Sequence, residues 1–166
     1  MHRLVQAAVC KRSGEKGTAQ AVTRRAIGRL AHVYPGDGYF NPESWPLCTR
    51  LTPHLLALQK AEPERILEPR VWSELLDRAG LYFLGRASYS QAESLLFNAL
   101  AIREKTCGSE HLETADILKN LVLLRRDQSN LPEARLFCER ALSIREKMLG
   151  PKHPEPKSQG EIGDGH

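Results

Sequence analysis

The chain of 166 residues is short of the features that most chemistries need. Aromatic side chains make up only 6% of it. None interleaves the early basic residues Lys11, Arg12, Lys16, Arg24, Arg25 and Arg29, so that run has no stacking platform for bases. The four cysteines, Cys10, Cys48, Cys107 and Cys138, form no C-x-x-C pair, which excludes a zinc knuckle or a dithiol redox motif. Scattered single cysteines suit a reducing cytoplasm, and Cys138, inside a helical apolar pattern, is expected to be a small buried hydrophobe. No apolar run approaches the roughly 18 residues that would span a bilayer. The opening "MHRLVQAAVCKR" has no sustained apolar core and no small-residue cleavage site, and reads as helix. No Ser/His/Asp arrangement is identifiable, no cofactor motif is present, and no metal set is assigned. An enzyme is not expected.

What is present is ordinary in amount and unusual in order. Apolar residues account for 41%, charged residues for 27%, and the net charge is +4. The basic excess at the front is interleaved with Glu15 and alanines, so a solvated helix face is expected there, and nucleic-acid binding stands as the weaker alternative. A shift of 42 residues superposes Ala92 on Ala134, Ala99 on Ala141, Leu100 on Leu142 and Ile102 on Ile144. Arg103, Glu104 and Lys105 then fall on Arg145, Glu146 and Lys147, Gly108 on Gly150, and His111 on His153. Leu76 with Leu118 and Tyr89 with Leu131 continue the register upstream. Such a period is the signature of a stacked repeat.

Inside each unit apolar residues return every three or four positions, as in "SQAESLLFNALAIREK" and "LPEARLFCERALSIREKML". Pro132 sits near a helix start, where its missing N–H is harmless. Gly108 and Gly150 are expected to be left-handed caps, and His111 and His153 to begin the next helix. Two helix pairs follow, over about 71–107 and 112–149. Ahead of them, helices are expected from Thr18 to Val33 and from about Glu43, the second kinked or broken at Pro53. "EPERILEP" reads as a linker. Three regions result: a helical linker region 1–69, repeats over 70–150 (about 70–110 and 111–150), and a Pro- and Gly-rich tail, 151–166, expected to be disordered. The fold class is all-α: a short right-handed α-solenoid preceded by non-repeat helices.

Ala92, Leu96 and Ala99, repeated as Ala134, Cys138 and Ala141, resemble the second-helix pattern A-x-x-x-F/L-x-x-A of tetratricopeptide repeats. Leu76, Ala79, Gly80 and Phe83 resemble the first-helix pattern of the same family. The 42-residue unit and the stretch Ala141–Pro154 are similar to the kinesin-light-chain type. "HRLVQAAV", with Trp45, Pro46, Cys48, Leu51, Pro53 and His54, resembles the stretch that leads into the repeats in bacterial NB-ARC/tetratricopeptide proteins of the STAND signalling ATPase group. "SGEKGT" lacks the spacing of a phosphate-binding loop and has no strand before it, so nucleotide hydrolysis does not carry over.

The resemblance implies a non-catalytic module that binds a protein or peptide segment in a helical-repeat groove. Asn120 falls where family members hold a peptide-binding asparagine. With Arg78, its counterpart in the first unit, and Arg125, it would favour an acidic partner. The alternative is a sensor part of a STAND-type switch. No membrane partner is expected. Glu104 and Glu146 are expected to make intrahelical ion pairs. The last helix lacks a neighbour, so an exposed stripe drawn from Leu136, Ala141, Ile144 and Met148 is expected to favour self-association.

Overall fold

In the computed structural model, residues 16–61 and 68–150 are described. The expectations for His2–Val9, for the tail 151–166, for His153 and for most of the 62–69 linker lie outside them. The described residues are helical and contain no strand. α1 spans Lys16–Val33, a 3₁₀ turn spans Pro42–Ser44, and α2 spans Trp45–Ala61. Then come α3 (Pro69–Gly85), α4 (Tyr89–Cys107), α5 (Leu112–Asp127) and α6 (Leu131–Leu149). α3 pairs with α4 and α5 with α6, α4 packs on α5, and α3 touches α5. This is the stacking of an all-α helical-repeat solenoid. α1 and α2 touch each other and both pack on α3, so they precede the array.

α2 is not broken at Pro53. Proline removes one backbone hydrogen bond, at roughly 3 kcal/mol. Against this, Cys48, Leu51, Leu55 and Leu58 recur at helical spacing and are all buried. Each buried leucine contributes about 2 kcal/mol, so the three leucines outweigh the proline.

The interior is one aliphatic band. It runs through Leu30, Leu55, Leu75, Leu76, Leu96, Leu118, Leu121, Leu124 and Ile144, each almost fully buried. Small residues let the first pair close: a Cβ on Gly80 would lie 2.7 Å from Leu96 Cγ.

The turns repeat as faithfully as the helices. Ala87 and Ser129, 42 residues apart, both take positive φ, 57° and 60°. Each closes its helix in the same way: Ser88 N–H donates to Phe83 O and Asn130 N–H to Arg125 O, both from the residue after the turn. Gly108 and Gly150 also have positive φ, 99° and 80°, but with ψ near 160°. They therefore lie outside the left-handed helical region expected for them, in a region essentially reserved for glycine. His111 caps α5, its Nδ1 accepting from Glu113 N–H at 3.2 Å.

Candidate functional site

The three residues expected to line a groove each have intramolecular partners. Arg78 reaches back to α1: its Nη1 donates to Ala31 O at 2.8 Å and Tyr34 O at 3.1 Å, and its Nη2 pairs with Glu74. It thus satisfies carbonyls at the end of α1, where a cation suits the helix dipole. Asn120, 9% exposed, donates from Nδ2 to Asp77 Oδ1 at 2.8 Å and ties α5 to α3. Positions 78 and 120 therefore do the same work in successive layers: each grips the layer before.

Arg125 belongs elsewhere. It lies five residues, about 140° of helix, from Asn120. It makes a fork to Glu93 on α4 (3.1 and 2.9 Å) and donates to Gln128 at 2.7 Å. Its Nε is 2.6 Å from Glu133 on α6 but does not point at that carboxylate as a hydrogen bond would. Its guanidinium also stands 5.6 Å from the Phe97 ring. The structure does not bring Arg125 together with Arg78 and Asn120.

The face around Arg78 is shared with a segment the sequence pattern did not assign. Gly36 lies beside Arg78, and Gly38 rests against Tyr82, where a Cβ would lie 3.0 Å from Tyr82 Cα. Gly38 O sits so near Gly85 that a Cβ there would lie 2.6 Å from it. Tyr39 then donates to Asp127 Oδ2 at 2.9 Å and accepts from Arg126. Residues 36–39 thus run along α3 and reach the end of α5. Trp45 fastens the segment by donating Nε1–H to Gly38 O at 2.8 Å. The run Gly36-Asp37-Gly38 was the available signal, since closely packed backbone favours glycine.

Asp77 is the electrostatic centre of the α3/α5 junction. It is hemmed in by atoms while keeping some access to water, and burial pushes its carboxyl up to about 6. Asn120 and the charge of Arg103 pull in the opposite direction. Arg103, although part of the charged run of the repeat motif, is buried. It pairs with Glu113, which Arg70 also grips. The ion pairs of the motif are not intrahelical: Glu104 pairs with Arg140 on α6, and Arg145 with Asp116 on α5 at 2.8 Å.

Among the described residues one group has metal-ligand chemistry: Cys107, His111 and Glu113 bring donor atoms within 4.8 Å of one another. His111 Nδ1 is already engaged in the α5 cap, and the Glu113 carboxylate already holds two guanidiniums. A cation there would have to displace or tolerate both. The cluster works as the ionic seam between α4 and α5.

Helix pairs stacked on one aliphatic band define a repeat scaffold. Residues 73–147 match the family model of the tetratricopeptide repeat, which covers both pairs, α3–α4 and α5–α6. Repeats of this family generally mediate protein–protein interactions and are typically non-catalytic. No curated protein matches the chain. No helix among the described residues is long and apolar enough to cross a membrane.

Proposed function

We propose that the chain is a non-catalytic interaction module that holds a protein or peptide segment against the face formed by its first helices, α3 and α5. The observation that carries this reading is the Asp77–Asn120 pair, a polar floor between two first helices within a stretch that matches tetratricopeptide repeats. Asp116, Asn120 and Leu123 share one side of α5, where a bound segment would find an amide, an apolar contact and, in exchange for Arg145, a carboxylate. Arg78 and Arg125 already hold Glu74, Glu93 and Glu133, so an acidic segment gains from them only by exchange.

The 42-residue unit supports the kinesin-light-chain type of repeat. The buried Cys48 and Leu51 of α2, with Trp45, support the reading of residues 1–69 as the approach to a repeat array, as in STAND-type proteins. The test is an array of extended peptides probed with the full chain and with Asn120→Ala. The reading predicts a subset of binders that Asn120→Ala weakens while its melting curve stays cooperative. An array without binders, or binding indifferent to Asn120→Ala, refutes it.

A further inference from the structure

The two second helices, α4 and α6, carry the same stripe with opposite fates. Tyr89, Leu96, Leu100 and Cys107 lie at i, i+7, i+11 and i+18 of α4, within about 20° of one line along the helix. Their counterparts in α6 are Leu131, Cys138, Leu142 and Leu149. In α4, Leu96 is 0% and Leu100 6% exposed. In α6, Leu142 is 37%, Leu149 43% and Leu131 65% exposed, and Cys138 is exposed too. The difference is the next layer. α4 is followed by the α5–α6 pair, whereas no described helix follows α6. This also explains why Cys138 is not the buried hydrophobe its pattern suggested. Of the residues expected in an exposed stripe, Leu136 and Met148 are exposed, but Ala141 and Ile144 face inward and are buried.

The α4/α5 contact shows what a covering helix must bring. α5 runs antiparallel to α4: Glu113 near its start pairs with Arg103, and Arg125 near its end pairs with Glu93. One ion pair thus closes each end of the stripe. On α6 the corresponding positions are Arg135, for Glu93, and Arg145, for Arg103. Both are basic. Their present partners, Glu139 and Asp116, are surface acids. A second copy of α6 laid antiparallel on the first would set Arg135 opposite Arg145 twice. Residues 151–166 carry one large apolar side chain, Ile162, and so do not themselves supply a helix of this kind.

We infer that the α6 stripe docks an amphipathic helix from a protein partner, antiparallel to α6, with an acidic residue at each end of its apolar face. The partner's apolar residues cover Leu131, Cys138, Leu142 and Leu149, while its two acids meet Arg145 and Arg135. The acids stand about 12 residues, or ~18 Å, apart, as residues 113 and 125 do in α5. This surface meets the α5 face at one ion pair, Arg145–Asp116, but its apolar stripe lies on α6.

The probe is a peptide of residues 110–128 carrying Arg125→Glu, held helical by a hydrocarbon bridge on its solvent face, and the unaltered peptide held in the same way. Binding to the full chain is read by fluorescence anisotropy, and occupancy by the alkylation rate of Cys138, located by mass spectrometry. The Glu-bearing peptide is expected to bind about tenfold more tightly, since one ion pair replaces one like-charge contact. It is expected to protect Cys138. Arg135→Glu in the chain should reverse the preference, and Leu142→Glu should abolish binding of both while the melting curve holds. Asn120→Ala should leave this binding unchanged, which separates it from the groove. Equal binding of the two peptides, no binding, or an unprotected Cys138 overturns the proposal. So does self-association that buries Cys138 without any peptide, since the second copy would then be the occupant.

Discussion

Asn120 Nδ2 donates to Asp77 Oδ1 across 2.8 Å and joins the first helices of two successive layers. The carboxyl it meets has its pKa raised by burial to about 6, above the ordinary 3.8. The folded state therefore holds that proton more tightly than the unfolded chain does. Stability from this group is present below about pH 4 and is lost as pH rises to about 6. Asp77→Asn keeps an acceptor for Asn120 and removes the charge. It is expected to raise stability at pH 7 by about 1 kcal/mol, a figure lowered for the water that reaches the site, and to flatten the slope between pH 4 and 6. Urea unfolding at several pH values reads both effects.

Arg78 offers a contrast, because its role is to close α1. Arg78→Ala leaves Ala31 O and Tyr34 O without their guanidinium donor. A loss of about 2 kcal/mol is expected in thermal unfolding, from two hydrogen bonds to a helix end. Arg78→Lys should recover less than half, since a single ammonium cannot reproduce the fork that also holds Glu74.

Gly85 and Gly28 should respond to alanine in opposite directions. A Cβ on Gly85 would meet Gly38 O at 2.6 Å and Tyr39 Cα at 3.0 Å, both backbone. Gly85→Ala is expected to cost about 2 kcal/mol and to loosen residues 36–39. Around Gly28 there is nothing within 4 Å, so Gly28→Ala should stabilise α1 by up to about 1 kcal/mol. Urea midpoints, with amide exchange at Tyr39, check the pair.

Ala87 and Ser129 adopt left-handed backbone without being glycine. Each pays about 1 kcal/mol for that conformation. Ala87→Gly and Ser129→Gly are each expected to raise the unfolding free energy modestly, by about 0.5 kcal/mol once the freer unfolded chain is counted, read from urea unfolding. A fall in stability for either would contradict the shared turn geometry.

The helices and the positions of the glycines that end them were legible because they rest on neighbours in sequence; the left-handed turns at Ala87 and Ser129 were not. Period, proline placement and the glycine after each second helix all act within a few residues. Polar partners were not legible, because they are chosen across the fold. Arg78 finds Ala31, 47 residues away, and Arg125 finds Glu93, 32 away. The 42-residue register placed Arg78 and Asn120 in equivalent positions, and both reach the preceding layer. It could not show that the layer before Arg78 is a helix of a different kind. Cys138 was misjudged for a related reason: its pattern is that of a covered residue, and covering depends on a neighbour the pattern does not contain.

The grip of Arg78 on α1 also says where the molecule may be cut. The family match begins at residue 73, yet two of the donors of Arg78 point at carbonyls of residues 31 and 34. A fragment trimmed to the matching repeats would lose Trp72, bare the side of Tyr82 that Gly38 and Thr49 now meet, and strand the Arg78 guanidinium. The border drawn by resemblance and the border of cooperative unfolding are different borders, and the second encloses α1 and α2.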